Sequence, residues 1–508
     1  MVPRPIGTSA AVLIPVLVFF VSAGLGGQTN FPDLNADPRA KEYAARNGTW
    51  QDLAEIALWA SGWNPTGSTT GSFAGNAANR RTPPLEMILQ AAEELRTSAA
   101  LPPTPRERGE FILSFIHKRF LKSYAERQTR LDEIFTSGRY NCVSSAVLYM
   151  LLARSAGLDV QGVMTRDHAF ITLNTGAEVI DVETTNPYGF DPGNRKEFHD
   201  GFGRATGFAY VPARNYRDRV SINPLELVSL ILSNRIADLE ARNRFGDAVP
   251  LAINRAALLS GLSQNAPQPA GPASDSLFAD PRQDLTDRLF NYGASLVKAG
   301  KEADALRWAE YAGERFPDPA RWQEFSYAAL NNQLVKLIRA RRTTEARNEL
   351  ARHRALLDPA QAALLDLMVL EADLADRING IKTAEDTAAA LGALESSAGK
   401  LPRDRLEEMR TLAYLKEAER LGAGKDWKGA IAWINGAIAR YGRNARFDNA
   451  LRVFRSNRIA ALHNEFAALY NRQNYEAAHR AAREALEEFP GDRQLTADLT
   501  MAERALRQ

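Results

Sequence analysis

The hydrophobic and polar positions divide the chain into a helical start, a short mixed segment and a long helical remainder. Apolar residues recur at helical spacing in Trp50–Trp59, Pro84–Thr97 and Pro105–Tyr124, which predicts three amphipathic helices. Residues 61–79, rich in Gly, Ser, Thr and Asn, predict a loop after the first helix. From Pro224 onward the pattern is helical again.

The mixed segment begins near Leu131 and combines one apolar helix with short strands. Residues 142–156 are almost wholly apolar, so we expect a helix buried on most sides, with Asn141 as its N-cap and Gly157 just after its end. Three strands are predicted to follow, at Val160–Thr165, Ala169–Leu173 and Glu178–Thr184.

The helical remainder contains a degenerate repeat. Gly293, Ala305, Ala312 and Pro317 occupy positions 8, 20, 27 and 32 of a 34-residue unit, which resembles the tetratricopeptide repeat (TPR). Weaker or partial copies are anchored by Tyr475, Ala478, Ala485 and Pro490, by Trp427, Ala430 and Ala437, by Ala346, and by Phe245 and Ala248. Their uneven spacing predicts an irregular TPR-like α-solenoid, and the resemblance implies a surface that binds a protein or peptide partner.

These patterns predict several domains for a chain of 508 residues. Residues 31–215 form the mixed domain with its N-terminal helices, and residues 216–263 form a TPR-like hairpin. The Pro-, Ser- and Ala-containing stretch 264–280 is a linker. Residues 281–508 form the solenoid.

Residues 1–26 have the order of a secretory signal peptide: Arg4, an apolar stretch from Ala10 to Val21, then small residues. We expect an exported protein, periplasmic or extracellular, with this segment either cleaved or kept as an N-terminal anchor. No other long apolar run occurs, so no integral membrane domain is expected beyond that anchor.

Composition adds little to this picture. The chain is 45% hydrophobic and 24% charged, which is typical of a soluble globular protein. Its net charge of +2 favours no nucleic-acid partner. With one cysteine and scattered histidines, we expect no metal site. The sequence contains no phosphate-binding glycine loop, so we expect no nucleotide cofactor.

The single cysteine, Cys142, is the strongest candidate for chemistry. It stands at the start of the apolar helix, where unpaired N–H groups and the helix dipole favour a thiolate and can hold an oxyanion. His168 follows it, and Asp181 and Glu183 come later. A thiol, an imidazole and a carboxylate are the groups that an activated cysteine nucleophile needs.

Hairpin register decides which acid meets His168, and the sequence allows two registers. If Thr175 and Gly176 form the loop, His168 faces Glu183. If Asn174 and Thr175 form it, His168 faces Asp181. The alternative is that both acids are solvated strand residues that do not meet His168.

A cysteine at a helix start, a strand opening with His-Ala-Phe, and a strand ending in Glu183-Thr184-Thr185 together resemble the transglutaminase-like superfamily over residues 105–215. The resemblance implies a papain-type α+β fold, a helix plus a small antiparallel sheet, with Cys142 as nucleophile and His168 as base. The third catalytic residue of the family is usually the Asp of an Asp-Pro-Thr pattern. Glu183, in Glu183-Thr184-Thr185, stands at the matching position. Val143 stands where the family usually has an aromatic residue.

The prediction is therefore an exported cysteine enzyme acting on amide or peptide bonds, a peptidase or amidase in preference to a crosslinking transglutaminase. The alternative is a catalytically degenerate transglutaminase-like and TPR scaffold that mediates protein–protein interactions in the envelope.

Overall fold

The computed structural model is mostly helical, with a small antiparallel sheet in its N-terminal half. It describes residues 30–46, 48–63, 83–166, 168–193, 198, 203, 219–260 and 280–507. The predicted signal segment, 1–26, and residues 264–279 of the predicted linker lie outside the described residues, as does most of the predicted loop 61–79. The chain divides into two compact units, Met1–Pro319 and Ala320–Gln508.

The first unit contains ten described helices and six strands. In chain order they are α1 Pro38–Ala44, α2 Trp50–Ala60, α3 Pro84–Thr97, α4 Pro105–Arg119, β1 Ser123–Tyr124, α5 Leu131–Ser137, β2 Arg139–Tyr140, α6 Cys142–Ser155, β3 Asp159–Met164, β4 Ala169–Asn174, β5 Val179–Val182, β6 Val220–Ile222, α7 Pro224–Ala241, α8 Phe245–Leu259, α9 Pro281–Lys298 and α10 Glu302–Arg315.

Helix α6 lies at the centre of this unit because nearly all of its side chains are apolar. Every residue from Val143 to Ala153 is buried. The helix packs against α2, α3, α4 and α7 on some sides and against β3 and β4 on another. One continuous core surrounds it and fixes the position of its first turn, where Cys142 lies.

The sheet has four antiparallel strands in the order β5-β4-β3-β6. Ile171 and Leu173 on β4 and Val160 on β3 belong to the core around α6. The intervening residues Phe170 and Thr172 are also buried. Both faces of β4 are therefore covered, whereas Asp159 and Gln161 on β3 are exposed.

Most element predictions in this unit are confirmed, and one helix end is wrong. The helix Pro84–Thr97 is as predicted, and the helices at Trp50 and Cys142 and the three strands agree within two residues. The helix from Pro105 ends at Arg119 and does not reach Tyr124. Its next residues pair with β2 instead: the N–H groups of Lys122 and Ser123 donate to the carbonyl of Gly138 at 2.8 and 3.2 Å.

The second unit is helical throughout its described residues, apart from one 3₁₀ turn and the connections. Its helices are α11 Pro319–Arg339, α12 Thr343–His353, α13 Pro359–Asn379, α14 Ala384–Ser396, α15 Arg403–Ala423, α16 Trp427–Tyr441, α17 Ala445–Asn471, α18 Tyr475–Glu488 and α19 Arg493–Leu506. Its side chains form several small cores rather than one, as expected when helices pack mainly against their neighbours.

Five connections between helices share one backbone turn. In each, a residue with positive φ follows the helix, and the next N–H donates to a leucine carbonyl five residues back, at 2.8 to 3.1 Å. This is the Schellman arrangement that ends a helix and starts the next one two residues later. The residues with positive φ are Asn243, Gly300, Arg341, Lys425 and Gln473.

The alanines singled out in the sequence occupy equivalent positions in these hairpins. Five residues after each positive-φ residue comes a fully buried alanine: Ala248, Ala305, Ala346, Ala430 and Ala478. The second small position, seven residues later, is Ala312, Ala437 or Ala485 in three hairpins and Arg255 or His353 in the other two. The five hairpins thus share the same turn and the first buried alanine, but only three of them have an alanine at the second position.

Within the described part of the chain, no helix has an apolar stretch long enough to cross a bilayer.

Candidate functional site

Cys142 is the first residue of α6, and the turn before it is held rigidly. Asn141 caps the helix by accepting from the Ser144 N–H at 3.0 Å, while the Asn141 N–H donates to Ser144 Oγ at 3.0 Å. The Asn141 side-chain amide donates to the carbonyl of Glu126 at 3.0 Å. Asn141 is therefore a cap whose amide is already used, which leaves the first backbone N–H groups of α6 as the donors near the sulfur.

The Cys142 side chain is half-buried and is not sealed in the core. The parallel pairing of Tyr124 with Tyr140 places the Tyr124 ring beside it, at the edge of the Tyr140 ring with centroids 5.9 Å apart. Burial, together with the charge of Cys142, raises the pKa of Tyr124, so its hydroxyl stays protonated. The thiol thus lies beside a phenol at the mouth of the core.

His168 is brought to Cys142 by the hairpin between β3 and β4. The Thr165 N–H donates to the His168 carbonyl at 2.9 Å, so His168 lies at the base of β4, next to the first turn of α6. Cys142 acts on the His168 ring as a charge and as a hydrogen-bonding neighbour. The ring Nε2 lies 2.6 Å from Oε2 of Glu183, so Nδ1 is the ring nitrogen left for the sulfur.

Glu183 is a buried carboxylate with donors on both oxygens. Its side chain is 2% exposed. Oε1 accepts from the Thr185 N–H at 3.1 Å and from the Thr185 hydroxyl at 2.7 Å, and Oε2 faces His168. These three hydrogen-bonding contacts hold the carboxylate in one position, which suits it to orient the His168 ring.

The structure brings Cys142, His168 and Glu183 together, and it does so by a register that neither predicted loop provides. Thr172 pairs with Asp181, and the β4–β5 loop contains four residues, Thr175 to Glu178. Both two-residue loops are therefore wrong. The Asn174 and Thr175 side chains accept backbone N–H groups of the loop, and this closes a longer turn.

Glu183 reaches His168 from the turn after β5 and not as a cross-strand partner. The Glu183 N–H donates to the Gly189 carbonyl at 2.7 Å, which bends the chain back toward the histidine. A Cβ at Gly189 would lie 1.9 Å from the Glu183 carbonyl oxygen, so only glycine fits there.

Asp181, the other predicted acid, points elsewhere. Its carboxylate forms a two-pronged ion pair with Arg219, the residue before β6, with one N–O distance of 2.9 Å. The Arg219 guanidinium also lies over the Phe170 ring, 5.0 Å from its centroid. Asp181 therefore ties β5 to β6 and does not contact His168 in this arrangement.

The electrostatics of the three residues favour a charged histidine. Burial by itself lowers the pKa of His168, but the negative charge of Glu183 and the hydrogen bonds to Cys142 and Glu183 outweigh it, so the pKa of His168 lies well above its usual value. An imidazolium between a carboxylate and a sulfur is the arrangement that stabilises a thiolate at neutral pH.

A second histidine near the site was not predicted as part of it. His117, on α4, donates from Nε2 to the Thr184 carbonyl at 3.0 Å. Burial lowers the pKa of His117 to about 4, which the hydrogen bond to Thr184 and the charge of Glu183 only partly offset. His117 is thus a neutral donor that holds the Glu183 turn. Sequence spacing carried no signal for it, because α4 and this turn meet only in the folded chain.

No protein-family model matches this chain, and no curated protein matches it significantly. Among the described residues, no group of three or more His, Cys, Asp or Glu side chains is arranged to hold a metal ion.

Proposed function

We propose that this protein is a thiol enzyme of the transglutaminase-like type that acts on amide bonds. The observation that carries the proposal is the His168 ring, which bonds to the buried Glu183 carboxylate through Nε2 and to Cys142 on its other side. Nucleophile, base and orienting acid in that order support acyl transfer through a thioester.

In the proposed reaction the Cys142 thiolate attacks the carbonyl carbon of an amide. The N–H groups at the start of α6 stabilise the oxyanion, and imidazolium His168 protonates the leaving amine as the C–N bond breaks. Water then attacks the thioester, and His168 takes its proton and returns it to sulfur. Attack by an amine in place of water would make the product a crosslink.

The remaining parts of the proposal rest on sequence. Residues 1–26 support export to the periplasm or beyond, and the hairpins with TPR-like alanine spacing support binding of a protein or peptide partner. The hairpins would present the partner or substrate, and the thiol domain would act on it.

The first test is alkylation of the protein with iodoacetamide near pH 6. Because the chain has one cysteine, the intact mass reports Cys142 alone. We expect a rate at least about tenfold above that of free cysteine, because a cysteine nucleophile activated by a neighbouring imidazole reacts faster than a free one. Glu183→Gln should slow the reaction, since His168 loses its counter-charge.

The matched control is Asp181→Asn, two residues earlier on β5, which should leave the rate near wild type because Asp181 bonds Arg219. A thiol that reacts only after denaturation, or equal effects of the two acid variants, would contradict the proposal and favour the degenerate scaffold. A profile of amide cleavage and amine incorporation, compared with Cys142→Ala, then separates hydrolysis from crosslinking.

A further inference from the structure

The C-terminal helices enclose a groove of about 680 Å³, a size at which protein pockets hold small ligands or a few residues of a peptide. It lies between α17, α19 and the residues just before each. We call it the arginine groove after its four exposed arginines: Arg443, Arg452, Arg455 and Arg493.

The arginine groove has a net positive charge, with four arginines against Asp448 and Asp492. Neither Arg455 nor Arg493 has an acidic partner in the described part of the chain, and Arg452 bonds to the neutral Asn449 side chain. Only Arg443 is ion-paired, with Asp448 at 3.2 Å. By contrast, Arg458 on α17 is paired with Glu488 at 2.8 Å.

The start of α19 adds a second attraction for an anion. Asp492 caps this helix by accepting from the N–H groups of Gln494 and Leu495 at 2.9 and 3.2 Å. Its carboxylate therefore bonds to the backbone and does not pair with an arginine of the groove. Arg493, the first helical residue, extends from the positive end of the helix dipole. A carboxylate in the groove would meet this end and the guanidinium together.

Two features favour a peptide over a nucleic acid. Leu451 and Ile459 line the groove between the arginines, which suits apolar side chains better than a phosphate backbone. Asp448 and Asp492 also line it, so its positive surface is interrupted: a peptide can place single carboxylates at the arginines, whereas a nucleic-acid backbone carries a charge at every step.

We propose that the arginine groove binds an acidic segment of a partner polypeptide. Carboxylates of the segment pair with Arg455 and Arg493, which form charge-assisted, two-pronged bonds, and an apolar side chain rests on Leu451 and Ile459. This proposal rests on the partner-binding role proposed above and specifies the kind of partner, an acidic polypeptide segment. It does not depend on the chemistry of Cys142.

The test is binding of a fluorescein-labelled peptide of glutamate and leucine to the full chain, measured by fluorescence anisotropy at low and high salt. We expect saturable binding that weakens with salt. Arg455→Glu with Arg493→Glu should weaken it by roughly tenfold or more, because attraction becomes repulsion at both sites. Both side chains are exposed and unpaired by acids, so the fold should persist, as circular dichroism would show.

The matched control is Arg480→Glu on α18, an exposed arginine outside the groove. It should leave binding near wild type. Equal loss with Arg480→Glu, equal binding of a peptide with glutamine in place of glutamate, or tighter binding of a single-stranded oligonucleotide of the same charge would each overturn the proposal. Cys142→Ala should bind normally, which separates this result from a failure of the thiol enzyme.

Discussion

At the scale of single residues, the decisive feature is the turn Glu183–Thr185, because it carries the acid of the candidate site. Three groups from other elements hold it. His117 Nε2 donates to the Thr184 carbonyl, the Tyr140 hydroxyl donates to the Thr185 carbonyl at 3.1 Å, and Ser145 Oγ lies 2.8 Å from Thr184 Oγ1. The position of the acid therefore depends on a helix, a short strand and α6 together.

His117 gives this turn a pH dependence. With a pKa of about 4 in the fold against 6.5 for an ordinary histidine, His117 stays neutral while the unfolded chain takes up a proton. The unfolding free energy should therefore fall as pH drops from about 6.5 to about 4, by about 3 kcal/mol for this group. His117→Gln keeps an N–H donor for Thr184 and removes the titration.

The measurement is urea unfolding at pH 7 and at pH 4.5. The variant should lose clearly less stability than wild type between these values. His479→Gln, on α18 in the other unit, is the control for replacing a histidine with glutamine. Identical acid losses in wild type and His117→Gln would refute the role of His117.

At the scale of elements, the five Schellman turns explain how an irregular sequence repeat gives regular hairpins. The turn needs positive φ, which suits glycine and is unfavourable for other residues. Gly300 meets that need, whereas Arg341, Lys425 and Gln473 adopt the same conformation with a Cβ. Hairpins that match the repeat pattern only weakly in sequence therefore have the same backbone turn as the hairpin at Gly300.

Replacing Gln473 or Lys425 with glycine should therefore stabilise the protein. We expect about 0.5–1 kcal/mol each, because relief of the left-handed strain exceeds the added entropy of the unfolded chain. Gly300→Ala is the reciprocal control and should destabilise by about 1 kcal/mol. Thermal unfolding measures all three, and a loss of stability in both glycine variants would show that the side chains matter more than the turn.

At the scale of the whole molecule, the chain divides into two compact units, each with its own buried cores. We expect more than one unfolding transition in calorimetry, since separate cores and helical arrays lose cooperativity. Ala437, fully buried on α16, offers a perturbation of the second unit alone.

Ala437→Leu should lower the unfolding free energy of one transition by about 1–3 kcal/mol, because the larger side chain overpacks the core. The other transition and the alkylation rate of Cys142 should not change. Leu148→Ala on α6 is the counterpart: it should cost about 2–5 kcal/mol in the first unit. A single transition that both variants shift equally would show that the units unfold as one.

The individual helices and strands could be predicted from the sequence, because local interactions control them. The apolar run after Asn141 could only be a buried helix with Cys142 at its start, and the alternation around Phe170 indicated a strand that opens at His168. The alanine spacing marked the helical hairpins. Each of these depends on neighbours within a few residues, where periodicity, capping and turn preferences act.

Which side chains meet in the candidate site could not be predicted, because it depends on the packing of distant elements. The four-residue loop after Asn174 sent Asp181 to Arg219, and the turn at Gly189 brought Glu183 to His168 by a path that no strand register predicts. His117 joined the site from a distant element, and Arg219, from another, paired with Asp181 away from it. Such contacts depend on how the elements pack around α6, and no spacing along the chain encodes that packing.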